Sequence, residues 1–300
     1  MNIPFRQRAA AWGRLLRLPN LFTVPGDVVA GAAWSGGDLA ATAWSVPAVM
    51  LIYAGGLLLN DYFDRAVDAR ERPQRPIPSE RVKATSVLTA GLAALAGGTG
   101  LAWLAGGTTA GSVALATSIL VLLYDGGVKS LPLLGPLVMG LCRGGAVLVG
   151  GAATSGTVGM PVMVVAGMAT AYTAVLTGVA RGEMSGGRPG AKAYLPAAVV
   201  IAAGLVSPWM GGLAPAVWIG TALFAAAAIR IIGWTVQVNT TAAPVPAFIG
   251  RLIRMMIVLQ AAWVCTAFGH LGWVWVAGTV IAFAGLAFGA DRAAHAFYGS

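Results

Sequence analysis

Charged residues are scarce in this chain. They make up 10% of its 300 residues, while hydrophobic residues make up 58% and the mean hydropathy is +0.79. So little charge excludes an ordinary soluble domain, in which about a quarter of the residues are charged. Long apolar runs together with 42 glycines are instead typical of a polytopic membrane protein.

The chain also has few residues of the kinds that form disulfides or zinc sites, with two cysteines and two histidines. Cys142 and Cys265 both lie inside apolar runs, so we interpret them as buried thiols and not as a disulfide framework or a metal site. Residues 1–18 are rich in arginine and lack a small-residue cleavage site. We expect this segment to be a cytoplasmic lead-in and not a signal peptide.

Hydrophobic runs predict about ten membrane-spanning helices. We therefore expect an all-α fold, a polytopic transmembrane bundle of about nine to ten spans that forms one integral membrane domain over residues 1–300. The last span could instead be re-entrant or interfacial. The predicted spans are 18–36, 43–62, 83–105, 108–124, 132–152, 158–180, 192–211, 214–235, 248–268 and 271–290.

Basic residues are distributed unevenly over the connections between these spans. With the N-terminus inside, the cytoplasmic connections hold Lys and Arg, whereas the opposite connections hold none. This asymmetry follows the positive-inside rule and explains the net charge of +9 without a nucleic-acid partner. We predict a multi-pass protein of the cell (plasma) membrane with its active-site loops in the cytoplasm. The basic residues of the cytoplasmic connections are Arg65, Arg70, Arg72, Arg75, Arg81, Lys83, Lys129, Arg181, Arg188 and Lys192.

Acidic side chains cluster in one segment, which ends an apolar run. Three of the ten acidic residues, Asp61, Asp64 and Asp68, stand there beside Asn60. If a helix continues through the segment, the three carboxylates fall within an arc of roughly 60°. Like charges on one helix face repel, and an unpaired aspartate in a membrane is costly, so a bound divalent cation is the simplest explanation. Oxygen ligands without His or Cys suit Mg²⁺, and we predict that these four side chains bind it.

A basic, proline-rich loop follows the acidic segment. Its prolines preclude a long regular helix, so Arg72 and Arg75 are held beside the carboxylates by a stiff loop. Carboxylates alone would repel a diphosphate, but carboxylates bridged by Mg²⁺ and flanked by arginine would bind one. A charged loop that only obeys the positive-inside rule is the alternative, and it leaves the acidic cluster unexplained.

Together these residues resemble the first aspartate-rich motif of the UbiA-type intramembrane prenyltransferase superfamily. The matching pattern is Asn60-Asp61-x-x-Asp64-x-x-x-Asp68 followed by Arg72-Pro-x-Arg75-Pro-Ile-Pro-Ser. Further matches are Arg17-Leu-Pro-Asn20 at the first span, and Tyr124 and Lys129 after the fourth. The resemblance implies a UbiA-like helical bundle of about nine spans, to which our tenth span would be a C-terminal addition.

The resemblance also implies an activity. The family transfers a prenyl group from a Mg²⁺-bound diphosphate to an acceptor, often an aromatic ring. The donor here would be a prenyl diphosphate, whereas the sequence leaves open the aromatic or lipid-like acceptor and the oligomeric state. The residues implied to be catalytic are Asp61, Asp64, Asp68 and Lys129. Those implied to bind substrate are Asn60, Arg72, Arg75 and Lys129; Arg143 is added to them because it is a charge within a span.

The second aspartate-rich motif departs from the family pattern. Members usually carry Asp-x-x-x-Asp after the sixth helix, followed by a Leu-Pro, and matching that dipeptide to Leu195-Pro196 places Glu183 and Gly187 at the two acidic positions. One ligand is therefore a longer carboxylate, Glu183, and the other is absent. This pattern resembles the EboC-like branch of the family. It keeps an alternative open, in which a degenerate, non-catalytic member binds or carries a lipid or pigment precursor.

Isolated charges inside the spans carry a separate prediction. Arg143 lies in the middle of the fifth span, where a charge is costly and usually faces the interior of the bundle. It either lines the substrate pocket or pairs with another group, and Asp27 of the first span is a candidate partner. Asp125, beside Tyr124, is as consistent with a solvated helix cap as with a role in the site.

Overall fold

The computed structural model of the protein describes residues 5–36, 39–183, 188–241, 244–268 and 273–298. Within these ranges the chain is helical and contains no strand, which confirms the predicted all-α class. The α-helices are α1 (Phe5–Leu15), α2 (Leu18–Leu21), α3 (Pro25–Ser35), α4 (Thr42–Phe63), α5 (Arg65–Glu71), α6 (Ala84–Asp125), α7 (Leu134–Ser155), α8 (Met160–Glu183), α9 (Leu195–Gly211), α10 (Pro215–Thr240), α11 (Val245–Ala267) and α12 (Trp273–Tyr298). Short 3₁₀ segments lie at Leu39–Ala41, Val128–Ser130 and Gly190–Tyr194.

Seven of the described helices are long and apolar enough to cross a membrane. They are α4 and α6–α11, where α9 is counted together with the 3₁₀ segment that precedes it. One of them, α6, runs for 42 residues and is broken at Gly106 and Gly107, whose backbone angles are not helical. Gly107 has a φ of 64°, a conformation that glycine adopts readily and other residues rarely do. The break therefore divides α6 into the third and fourth predicted spans, where the sequence places the boundary.

The first predicted span, 18–36, is not one continuous helix. It consists of α2 and α3, which are separated by a turn at residues 22–24. Pro25 opens α3 because proline fits the first turn of a helix, where its missing N–H is not needed. The acidic segment is also divided, since α4 ends at Phe63 and Asp64 lies at the corner before α5.

Glycines allow the central helices to approach closely. A Cβ atom at Gly140 would collide with the backbone oxygen of Thr170, and one at Gly144 with that residue's hydroxyl group, so α7 and α8 pack at a spacing that only glycine permits. Likewise, a Cβ atom at Gly31 of α3 would collide with the backbone oxygen of Val147 in α7. This close packing places α7 between α3 and α8.

The apolar core has two main parts that share α3 and α7. One part joins α3 and α7 to α8–α12, and the other joins them to α4 and α6. The ends of α4, α6 and α8 that carry polar side chains meet at one end of the bundle, together with the loop that follows α5. The candidate site lies at this end.

Candidate active site

The three aspartates of the acidic segment lie around the corner between α4 and α5. The backbone amide of Asp68 donates to the backbone oxygen of Asp64 at 2.9 Å, so the corner keeps helical hydrogen bonding although α4 has ended. The side chains of Asp61 and Asp68 are 7% and 8% exposed, and that of Asp64 is 34% exposed. Two buried carboxylates and one half-buried carboxylate therefore share one end of the bundle.

Arg75 joins two of these carboxylates. Its Nη1 lies 3.1 Å from Asp61 Oδ1 and 3.0 Å from Asp68 Oδ2. The proline-rich loop holds it there, since Ser79 Oγ donates to the backbone oxygen of Arg75 at 2.7 Å. The stiff basic loop beside the carboxylates is thus present as predicted. Arg72 is different: it is exposed, and none of the ion pairs among the described residues includes it.

Lys129 lies on the opposite side of the cluster. Its Nζ is 2.6 Å from Asp64 Oδ1 and 3.9 Å from Asp125 Oδ1. Asn60 Nδ2 donates to the same Asp125 oxygen at 2.9 Å. Asp125, at the end of α6, has a side chain only 2% exposed and is not the solvated cap that the sequence left open as an alternative. Its carboxylate is a fourth acidic group of the site.

Arg17 completes the cluster, and the sequence did not identify it as a site residue. Its Nη2 donates to Asn60 Oδ1 at 3.3 Å and to Asp61 Oδ1 at 3.2 Å. Its backbone has a φ of 42° and a ψ of 54°, a left-handed conformation that costs a non-glycine residue about 1–3 kcal/mol. This conformation turns the chain between α1 and α2 and brings the guanidinium to the carboxylates. The Arg17-Leu-Pro-Asn20 match was the available signal.

The end of α8 approaches the same site. Arg181 Nη1 donates to the backbone oxygen of Leu131 at 2.7 Å, two residues after Lys129. Glu183 is the last residue of α8, but its side chain lies outside the described residues, as does Gly187. The structure thus brings the end of α8 to the site, and the ligand role of Glu183 stays a prediction.

A cavity of about 270 Å³ leads from the polar cluster into the bundle. Its polar end is lined by Arg17, Asn60, Tyr124 and Asp125, and its deeper walls are mainly apolar. Arg143 lines the deeper part, beside the ring of Tyr53, whose centroid is 6.0 Å from the guanidinium carbon. A molecule with an anionic head and an apolar tail therefore matches the character of the cavity.

Arg143 is also held by contacts with Asp27 and with the backbone of Thr23. Its Nε lies 2.5 Å from Asp27 Oδ2, and its Nη2 donates to the backbone oxygen of Thr23. Gln260 Nε2 donates to Asp27 Oδ1 and to the same backbone oxygen, each at 2.7 Å. The pairing with Asp27 is the one that the sequence suggested. Arg143 thus both pairs with Asp27 and lines the cavity.

The donor set agrees with the chemistry of Mg²⁺, which binds oxygen ligands and in proteins usually uses one or two carboxylates plus substrate phosphates. Arg75 lies between one pair of carboxylates and Lys129 between another, so each pair already faces a shared positive charge. Among the described residues, no three of the His, Cys, Asp and Glu side chains converge as a site made of protein ligands alone requires. The carboxylate and amide oxygens of the cluster are the kind of donors that would suit Mg²⁺ together with substrate phosphates.

Comparison with protein families gives one match over most of the chain. The profile of the UbiA prenyltransferase family matches residues 21–252. Among curated proteins, three archaeal digeranylgeranylglyceryl phosphate synthases are similar over shorter segments. The protein of Methanosarcina mazei is 40% identical over 102 residues, which is 34% of this chain and 35% of that protein. That of Methanopyrus kandleri is 39% identical over 132 residues, 44% of this chain and 47% of its own length. That of Ignicoccus hospitalis is 34% identical over 145 residues, 48% of each. The chain thus spans less than half the length of these curated relatives.

Solved structures share the fold over nearly the whole chain. A UbiA homologue from Archaeoglobus fulgidus bound to GPP and Mg²⁺ has a TM-score of 0.66 at 13% identity, covering 89% of this chain and 99% of the homologue. A structure of digeranylgeranylglyceryl phosphate synthase has a TM-score of 0.63 at 20% identity, covering 87% of this chain and 98% of its own. At these identities the likeness shows a common fold.

Proposed function

Since this chain belongs to the UbiA prenyltransferase family, we propose that it is an intramembrane prenyltransferase that uses a prenyl diphosphate as donor. One observation carries the proposal. Four carboxylates alternate with Arg17, Arg75 and Lys129 in one cluster, and Arg17 and Asp125 of this cluster line the polar end of a mainly apolar cavity. A prenyl diphosphate has the matching form, with an anionic head for the polar end and an apolar chain for the interior. The A. fulgidus homologue binds such a donor, GPP, together with Mg²⁺.

The acidic side chains hold the metal in this proposal. Asn60, Asp61, Asp64 and Asp68 are the proposed ligands, with Glu183 as a further ligand from the end of α8. When bound, Mg²⁺ would neutralise the diphosphate and so make it a better leaving group. Asp125 joins this group through its hydrogen bond with Asn60.

The basic side chains stabilise charge on the leaving group. The bond between C1 of the prenyl chain and the diphosphate oxygen breaks, and its electron pair leaves with the diphosphate. Arg75, Lys129 and Arg17 are already positioned within about 3 Å of the carboxylates, so little reorganisation is needed when negative charge develops there. The acceptor then forms a bond to C1 and loses a proton.

The acceptor is proposed from the curated relatives. Their name specifies a digeranylgeranylglyceryl phosphate, so a prenylated glyceryl phosphate lipid is the first acceptor to test. An aromatic acceptor is the second. We further propose that the site faces the cytoplasm from the plasma membrane, because the connections at this end of the bundle carry the basic residues of the chain.

Diphosphate release from the purified protein in liposomes tests the proposal. The donor is geranylgeranyl diphosphate with Mg²⁺, and the acceptors are geranylgeranylglyceryl phosphate and 4-hydroxybenzoate, each assayed with and without EDTA. Mg²⁺-dependent release of diphosphate with formation of a prenylated product is the expected result. If the donor binds but is never cleaved with any acceptor, the protein is instead the non-catalytic carrier that the glycine at position 187 suggests.

A further inference from the structure

A second, smaller cavity lies inside the bundle beyond the first. Its volume is about 40 Å³, and apolar side chains of α3 and α7–α11 line most of it. Asp27 and Gln260 line it as well. Since Arg143, which pairs with Asp27, lines the larger cavity, the buried ion pair lies between the two spaces.

The smaller cavity continues the larger one away from the carboxylates. On α8, which begins far from the site and ends at it, Thr177 and Thr173 line the larger cavity, whereas Ala169 and Val165 line the smaller one. On α11 the order is the same. Ile253 lines the larger cavity, and Gln260 and Trp263 line the smaller.

The lining residues of α3 and α7 show the same order, from the larger cavity to the smaller one. On α3 and the turn before it, Thr23 and Val24 line the larger cavity, and Asp27 and Ala30 line the smaller. On α7 the larger cavity reaches Ala146, and the smaller one begins at Val147. Because four helices agree, the smaller space lies where the tail of a donor would point if its head were held by the carboxylates.

Met256 separates the two spaces on α11. Its side chain lines both cavities, and the residue is only 8% exposed. Methionine is unbranched and flexible, so it fills an irregular gap without holding a fixed shape. We define the partition as Met256 together with Arg143 and Asp27. Met256 is its uncharged member, and shortening this side chain leaves the buried ion pair intact.

We propose that Met256 sets the longest prenyl chain that the cavity accepts, because its side chain closes the end that faces the donor's tail. This inference rests on the proposed function, and it adds a residue that determines specificity for the donor. Replacing Met256 by alanine removes three non-hydrogen atoms and joins the two cavities. The space vacated by these atoms adds to the smaller cavity, and we expect the joined space to accept about one further isoprene unit.

Chain-length preference measures the effect directly. Prenyl thiolodiphosphates of ten to thirty carbons resist cleavage, and their dissociation constants are measured with Mg²⁺ for the wild type and for Met256→Ala. The wild type should bind more tightly with each added unit up to a limit. In Met256→Ala the longest chain that binds tightly should be one isoprene unit longer. For the wild type's first rejected chain, the Kd relative to that of its last accepted chain should therefore fall by at least about tenfold in this variant.

Two variants serve as controls. Met255→Ala removes the same atoms from an equally buried neighbour that lines neither cavity, and it should keep the wild-type limit. Met256→Ala combined with Ala203→Leu refills the smaller cavity, which Ala203 lines, and should restore the limit. If Met256→Ala fails to fold, Met256→Val joins the spaces in part and should shift the limit in the same direction.

The outcomes separate the two proposals. A wild type that binds no prenyl thiolodiphosphate with Mg²⁺ contradicts the proposed donor itself. Donor binding with the same limit in Met256→Ala and Met255→Ala overturns the role of Met256 and leaves the proposed function standing. A wild type without any limit, or a Met256→Ala variant that changes affinity only for geranylgeranylglyceryl phosphate, also overturns it, since the partition would then not contact the donor's tail.

Discussion

Asn60 donates a hydrogen bond of 2.9 Å to Asp125, a residue 65 positions further along the chain. This contact ties the end of α4 to the end of α6. Lys129 extends the connection, since it lies 2.6 Å from Asp64 and 3.9 Å from Asp125. Arg17 and Arg75 close the cluster on the other side through Asp61. The site is thus one network of alternating charges from separate parts of the chain. A substitution of any of these side chains removes a contact with a known partner.

The first prediction concerns the acidic ligands. Asp61→Ala or Asp64→Ala should abolish Mg²⁺-dependent donor binding while leaving a folded, inserted protein, because each change removes a proposed ligand without altering apolar packing. Binding of a prenyl thiolodiphosphate by the purified variants measures the effect. Asp291→Ala is the matched control, since Asp291 is exposed and pairs with Arg254 at 3.1 Å through a separate contact. Unchanged donor affinity in either variant of the site would contradict the metal-site proposal.

The second prediction separates two arginines of the same loop. Arg75→Ala should weaken donor binding by about tenfold or more, because Arg75 contacts two carboxylates and hydrogen bonds to charged groups contribute about 1.5–3 kcal/mol. Arg72→Ala should have a smaller effect, since Arg72 is exposed and outside the described ion pairs. Titration of both variants with the same donor analogue gives the comparison. Equal losses would mean that the loop rearranges around the donor so that Arg72 reaches it.

The fold and part of the site follow from local sequence. The break in α6 is predictable, because Gly106 and Gly107 interrupt an apolar run and the positive φ found at Gly107 is one that glycine adopts without strain. The prediction that basic loop residues would lie beside the carboxylates is confirmed for Arg75, whereas Arg72 is exposed and in none of the described ion pairs. Both features depend on residues near one another in the chain.

Other features depend on contacts between distant segments, and the sequence did not determine them. Arg17 reaches Asp61 through a left-handed backbone conformation, which an arginine rarely adopts. Asp125 is buried because α6 ends against Asn60, a consequence of helix packing. The prediction of one continuous helix for the first span was wrong. The apolar sequence continues through the turn before Pro25, whereas the helix is interrupted there. Local sequence patterns therefore predict the membrane spans and the clusters of charged residues. They do not predict which helix ends lie against one another in the fold.

The third prediction concerns the buried ion pair. Arg143→Met should destabilise the protein by about 3–5 kcal/mol, because it leaves Asp27 as an unpaired buried charge. The double variant Arg143→Met with Asp27→Asn should recover a large part of that loss. Unfolding in detergent micelles measures both. Arg254→Ala, which breaks an exposed pair, is the control and should cost about 0–1 kcal/mol. Additive losses in the double variant would show that the pairing contributes nothing to stability.

The fourth prediction concerns orientation in the membrane. Residues 63–82 and 181–192 should share the cytoplasmic side, because Lys129 lies beside Asp64 and Arg181 donates to Leu131 at the same end of the bundle. Single cysteines at Glu71 and Lys192, both exposed, are introduced into a chain lacking Cys142 and Cys265. Both should be protected from an impermeant thiol reagent applied to whole cells.

A cysteine at Thr157, which is exposed at the opposite end between α7 and α8, is the positive control and should be labelled from outside. Labelling of position 71 or 192 from outside would overturn the orientation. Labelling of only one of the two would also exclude a shared site.

The last prediction addresses the incomplete second motif. If the protein is catalytic with one carboxylate at the end of α8, Glu183 must supply most of that half of the metal site. Glu183→Gln should then lower turnover by about tenfold or more, because a neutral amide replaces the charged carboxylate of a proposed ligand. Glu71→Gln, an exposed change of the same kind on α5, is the control and should leave turnover close to that of the wild type.

Conversely, Gly187→Asp should restore the family pattern and lower the Mg²⁺ concentration needed for half-maximal turnover. Its success requires that position 187 does not need a positive φ, which only glycine adopts freely. Steady-state turnover across a Mg²⁺ titration measures both variants. Intact turnover in Glu183→Gln would show that the second half of the site is vestigial and that the carboxylates of α4 and α5 hold the metal without it.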